Sequence, residues 1–131
     1  MASQLKVDTI TGVTTAGSVA VTGEGNSTTT NLQQGLVKMW SNVQTDQSTQ
    51  DDSFNVSSVS DQGTGKSRRN LTNAFSANPF NNAGLSVEQQ DNAGFSRFTS
   101  VSTSVVETNI RNSSNSNSDH MNNCLAAGDL A

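Results

Sequence analysis

Apolar and polar residues alternate in short runs along most of this chain, and glycine, asparagine and aspartate punctuate the runs. A period of two places successive side chains on opposite faces of an extended strand, so the pattern predicts β-structure. Leu5 to Ile10 reads as a short strand, with Leu5 and Val7 on one face and Lys6 and Asp8 on the other. Ser18 to Thr22 is a second extended piece, carrying Val19 and Val21 on one face. Asn31 to Val43 fits two periods: Leu32, Leu36 and Trp40 match a helix with Asn31 as a cap, whereas Val37, Met39 and Val43 match a strand face. Gly35 weakens the helix, so a short helical or irregular start running into a strand is expected.

Further along, polar Gln44 to Asp52 reads as a loop and Ser53 to Ser60 as a strand. Asp61-Gln62-Gly63-Thr64-Gly65 is a hairpin turn whose glycines supply positive φ, with Lys66 to Phe75 as the returning strand. Asn78, Pro79, Asn81 and Asn82 mark another turn. Leu85 to Gln90 and Phe95 to Val106 read as strands, with Ile110 ending the last. Asn112 to Asp119 is an exposed Ser/Asn loop, and Met121 to Ala127 closes the sheet. The expected class is all-β. An extended N-terminal arm for docking and oligomerisation (residues 1–40) precedes a C-terminal β-sandwich or jelly-roll-like domain (residues 41–131).

Composition changes this picture in one respect. Hydrophobic residues make up 31% of the 131 positions, and that figure includes the alanines. Leu, Ile, Val and Phe together come to roughly a fifth, near the level at which chains stop folding alone. Copies sharing a core would relieve the shortage, so a homo-oligomer is expected. Leu5, Val7, Ile10, Val19, Val21, Leu32, Leu36, Val37, Met39 and Trp40 are the residues expected at the oligomer or docking interface.

Charge and chemistry mainly exclude. Seven basic against eleven acidic residues, net −4, argue against nucleic-acid binding. The cluster Lys66, Arg68 and Arg69 reads as a solvated or edge-blocking strand segment. Cys124 is the only cysteine and His120 the only histidine, which leaves no intrachain disulfide and little for zinc. A buried small hydrophobe is the commoner fate of such a cysteine than a catalytic thiol. No phosphate loop, metal spacing or paired carboxylates stand out, so no enzyme activity, cofactor or metal is expected. Asp51 and Asp52 are adjacent and would face opposite sides of a strand. The first residues lack an apolar signal segment, and no run is long enough to span a membrane.

Three blocks read together. They are Ser3-Gln4-Leu5-Lys6-Val7-Asp8-Thr9-Ile10, the run from Leu32 through Trp40 to Asp52-Ser53-Phe54-Asn55-Val56-Ser57-Ser58 and Asp61 to Gly65, and the terminus Gly128-Asp129-Leu130-Ala131. Together they resemble a family of small tail-fibre or appendage proteins of marine short-tailed phages, including those of cyanobacteria. The resemblance implies a virion component on the tail or capsid surface, made in the host cytoplasm, often trimeric, with a β-rich C-terminal domain. One stretch departs from it. The family tends to run Tyr-Thr-Val-Asn-Phe-Thr after the Gly-Thr-Gly turn, where this chain has Ser67-Arg68-Arg69-Asn70-Leu71-Thr72. Ser67 and Arg69 fall where apolar residues are usual, so this strand is expected to bury less or to meet an acidic partner.

The expected role is therefore a tail-fibre component that attaches to other virion proteins by its arm and displays the β-domain for adhesion to a host-surface glycan or protein. Asp51, Asp52, Asn115 and Asn117 are the candidate recognition residues, on the two polar loops. A capsid decoration or head-appendage protein is the nearest alternative. A carbohydrate-binding module is the alternative from another class, although Trp40 as a core or interface anchor is favoured over Trp40 as a sugar platform.

Overall fold

The computed structural model describes residues 4–12, 19–23, 29–77, 83–88 and 95–128. The chain divides into two compact units, Met1–Gly35 and Leu36–Ala131. The second unit begins before the boundary expected at residue 40, because Val37 to Val43 form a central strand of it.

In the first unit, β1 (Ala20–Thr22) pairs antiparallel with β2 (Thr29–Asn31), and α1 (Leu32–Gly35) follows as one turn of helix. Residues 4–12 contain no strand, and all nine are exposed. The strand expected over Leu5 to Ile10 is thus absent: alternation alone does not make a strand where no neighbour supplies ladder hydrogen bonds.

The second unit is all β among its described residues. β3 (Val37–Val43), β4 (Gln50–Phe54), β5 (Val56–Asp61), β6 (Lys66–Leu71), β7 (Ala83–Glu88), β8 (Phe95–Ser102), β9 (Val105–Arg111) and β10 (Asn122–Ala127) form two four-stranded antiparallel sheets. Their orders are β4-β3-β10-β7 and β5-β6-β9-β8. The short helical start running into β3 is as the sequence suggests. The 61–65 hairpin also forms, with Gly63 at φ 99° and Gly65 at φ 72°. The Pro79 turn and the last residues of the Leu85 to Gln90 strand lie outside the described residues.

Ser53 to Ser60 is not one strand. The chain breaks at Asn55, which sits at φ 59°, and passes there from one sheet to the other. Asparagine tolerates this left-handed backbone better than most residues. Its amide also holds the corner: Nδ2 donates to the carbonyls of Lys38 and Asn73, both at 3.0 Å, and Oδ1 accepts from the Asn73 N–H at 2.7 Å. The expected Phe95 to Val106 strand is likewise two strands. β8 and β9 form a hairpin through Thr103 and Ser104.

Side chains from both sheets meet between the layers. Met39, Leu71, Phe75, Val106, Cys124 and Ala126 form the apolar core, with Val56 and Phe98 packed against it. Beside it lies a buried polar network centred on Arg69, which has no solvent exposure. Its Nε donates to Ser41 Oγ, one terminal nitrogen to Thr108 Oγ1 at 2.8 Å and Ser67 Oγ at 3.0 Å, and the other to Asn122 Oδ1. Asn122 Nδ2 in turn donates to Gln47 Oε1 at 3.2 Å, and Gln47 Nε2 to the His120 carbonyl at 2.8 Å. Among the described residues no carboxylate bonds the guanidinium, and burial pushes its pKa below the ordinary value.

Two expectations are corrected here. The Lys66, Arg68, Arg69 cluster is not an edge segment, because β6 lies inside its sheet between β5 and β9; Lys66 and Arg68 keep the expected solvated face and only Arg69 turns inward. Ser67 and Arg69 do not mark a strand that buries less; β6 alternates half-buried and buried residues along its length. The polar residues point inward and satisfy one another, which is the only arrangement in which such groups are tolerated away from water.

Candidate functional site

The residues expected at the oligomer or docking interface separate into three groups. Leu5, Val7 and Ile10 are exposed on the extended segment, at 81%, 53% and 59%. Val19, Val21 and Leu32 belong to the β1–β2 unit, with Val21 exposed and the other two half-buried. Leu36, Val37 and Trp40 are exposed in the second unit. Met39 is a correction: it is fully buried in the core of its own chain and cannot lie between chains. Strand alternation explains the difference, since Met39, Ser41 and Val43 face inward while Trp40 faces out.

The register of the sheet gives Trp40 neighbours that the linear sequence does not reveal. Trp40 pairs with Phe54 on β4 and with Leu125 on β10, and Leu125 pairs with Leu85 on β7. Phe54, Trp40, Leu125 and Leu85 therefore form one row across all four strands on the outer face. They are 39–55% exposed. Directly opposed side chains on antiparallel strands touch, so the row is a continuous apolar stripe. Beside it, Leu85, Val87, Leu125 and Trp40 line a shallow depression of about 190 Å³.

The candidate recognition residues do not converge on one place. Asp51 and Asp52 are a correction: they lie not on a loop but on β4, an edge strand that already begins at Gln50, and both are exposed. Asp51 accepts a hydrogen bond from Gln44 Nε2, and Asp52 accepts one from the Ser53 N–H at 2.7 Å. The 44–49 segment is a tight turn rather than an idle loop. Asp46 takes the Thr49 hydroxyl, the Thr49 N–H at 2.8 Å and the Ser48 N–H at 3.1 Å, bonds that lower its pKa to about 2. Gln47, at φ 57°, turns inward and is 1% exposed, so part of this polar stretch serves the core after all.

Asn115 and Asn117 lie in the 112–119 loop, and both are exposed. Asn112 Oδ1 accepts the N–H groups of Ser114 and Ser116, both at 3.0 Å, which fixes the loop's shape. Asn115 Oδ1 accepts from Arg111 at 3.0 Å. The loop is also tied to the 61–65 hairpin, because Asp119 Oδ1 accepts the Gly65 N–H at 2.6 Å and Ile110 N–H donates to the Gly65 carbonyl at 2.7 Å.

The Cys124 thiol faces the core and meets the Ser41 hydroxyl at 3.6 Å. Among the described residues no group of three or more His, Cys, Asp or Glu side chains could hold a metal ion. No helix among them is long and apolar enough to cross a membrane. Comparison of the chain with protein-family models, with curated proteins and with solved structures finds no match.

Proposed function

We propose that this chain is a structural protein of a phage particle, a short tail-fibre component. In this reading copies associate as a trimer, the arm attaches to other virion proteins, and a β-sandwich-like domain is held out for adhesion to the host surface. The observation that carries the reading is the apolar row Phe54–Trp40–Leu125–Leu85 on an outer sheet face. A chain with so small a core of its own has little reason to leave two aromatic and two leucine side chains in water, unless another surface covers them. A second copy fits, because self-association buries the same row on every chain and supplements a thin core. The exposed apolar residues Leu5, Val7 and Ile10 on a segment without strand partners suit an attachment element that gains order on a neighbour.

Sedimentation of the purified protein tests the association. The wild-type chain should sediment as three copies, and Trp40→Lys, which places a charge in the middle of the row, should sediment as a folded monomer. A wild-type chain that is a stable monomer at micromolar concentration would overturn it. Deleting residues 1–30 should leave the second unit folded but missing from assembled particles.

A further inference from the structure

The outer face of the other sheet carries a different kind of surface. Strand register sets Lys66, Asn109 and Arg97 in one row across β6, β9 and β8. Arg68, Glu107 and Thr99 form the next row, and Arg111 pairs with Phe95 beyond the first. The chain has seven cationic side chains. Two of the six in the second unit, Lys38 and Arg69, are buried. The other four all stand on this face. Only Arg68 has an acid partner among the described residues, Glu107 at 2.9 Å. Lys66, Arg97 and Arg111 have none among those residues.

An acidic protein has thus gathered every solvent-reachable cation of its second unit on one sheet face. Like charges on neighbouring strands repel, so the arrangement costs stability in the free protein. Lys66, Arg97 and Arg111 line an open groove of about 360 Å³, the lower end of the range for small-ligand sites; Glu107 lines it too, with its carboxylate bonded to Arg68 at 2.9 Å. Asn109, Thr99 and Asn115 add amide and hydroxyl groups to its lining, and Phe95 supplies an aromatic face at 59% exposure.

We propose that this groove binds an acidic saccharide, one bearing carboxylate, sulfate or phosphate groups. Lys66, Arg97 and Arg111 take the anionic substituents, with charge-assisted hydrogen bonds from the two guanidinium groups. Asn109, Asn115 and Thr99 exchange hydrogen bonds with ring hydroxyls, and a sugar ring lies on Phe95. The combination separates a saccharide from a nucleic acid. Three cations with no carboxylate partner among the described residues, beside a single aromatic ring, are too few for backbone tracking with serial base stacking. The inference rests on the adhesion half of the function proposed above and names its site and ligand class; it does not depend on where the chain sits on a particle. Asn115 is the one candidate recognition residue that borders this groove, whereas Asp51 and Asp52 are on a strand of the other sheet.

The test is retardation of the full-length protein in affinity electrophoresis against polygalacturonate, dextran sulfate, neutral dextran and a DNA duplex, at about 0.15 M salt where exposed charges are already screened. Binding to at least one of the two acidic polysaccharides and none to neutral dextran is expected. Arg97→Gln with Arg111→Gln should weaken that binding by about tenfold or more. Phe95→Ala should weaken saccharide binding several-fold and leave any DNA retardation unchanged. Thermal midpoints near the wild-type value show that these surface variants fold. A folded protein that ignores both acidic polysaccharides overturns the inference and leaves the virion role standing. Equal retardation by DNA with no effect of Phe95→Ala overturns the saccharide assignment in favour of generic polyanion binding.

Discussion

Arg69 offers the most discriminating perturbation of the fold. Its guanidinium is fully buried and bonded to Ser41, Ser67, Thr108 and Asn122, all neutral. Two opposing effects decide what replacement does. Desolvating an unpaired cation costs several kcal/mol, and arginine keeps its proton at any ordinary pH. Because burial lowers the folded pKa of this cation, stability would be gained as pH rose through that folded value towards arginine's ordinary one. Across the working range the cost is constant. Against it stand the bonds to a charged donor and the packing of a long side chain.

Arg69→Ala removes the bonds, leaves a hole and orphans Ser41 Oγ, whose other polar neighbour is the weak Cys124 thiol. Thr108 and Ser67 still share a hydrogen bond at 2.9 Å, and Thr108 still donates to Asn122 at 3.0 Å, which limits the loss. The net expectation is a destabilisation of about 3 kcal/mol, mostly from the cavity. Arg69→Met refills most of the volume and removes the buried charge, so it should lie within about 1.5 kcal/mol of wild type. Urea unfolding followed by far-ultraviolet circular dichroism and by the fluorescence of Trp40, the only tryptophan, measures both. If Arg69→Met loses as much as Arg69→Ala, the hydrogen bonds dominate and the reasoning about buried charge is wrong. If Arg69→Ala is neutral, the side chain is not buried as described.

Other outcomes follow from the same geometry. Gly65→Ala should cost about 2–4 kcal/mol in the same assay, since its Cβ would stand 2.5 Å from the Ile110 carbonyl oxygen at a positive φ. Asn55→Ala should lose about 2 kcal/mol and Asn55→Gly clearly less, because glycine keeps the left-handed corner and sacrifices only the amide bonds. Asp46 has a folded pKa of about 2 against an ordinary 3.8, so its contribution is present above the ordinary value and is lost as pH falls through about 2. Asp46→Asn should therefore flatten the acid limb of a stability–pH curve between those two values, and an unchanged limb would show that its bonds to Thr49 and Ser48 do not persist in solution.

The β class, the 61–65 hairpin and the helix-to-strand passage near Gly35 were legible because local patterning and glycine chemistry specify them. The corner at Asn55 was not. Phe54 and Val56 keep a perfect alternation across it, although they belong to different sheets. The break at Thr103 and Ser104 carries no glycine, proline, asparagine or aspartate, and serine and threonine are common throughout this chain, so it too reads as continuous. The inward polar network misled most. Ser67 and Arg69 read as a strand that buries less or meets an acidic partner, and only strand pairing brings Ser41, Thr108 and Asn122 to meet them. The outer faces were hidden for the same reason. Phe54, Trp40, Leu85 and Leu125 are scattered along the chain, as are Lys66, Arg97 and Arg111, and register alone gathers each set.

The claim that this is a virion component is tested most directly by electron microscopy of purified phage particles labelled with an antibody against the 36–131 unit. A tail-fibre role requires label at the tail on most particles. Label confined to the capsid would contradict the tail assignment, and particles free of label while the protein is abundant in infected cells would contradict the virion role itself.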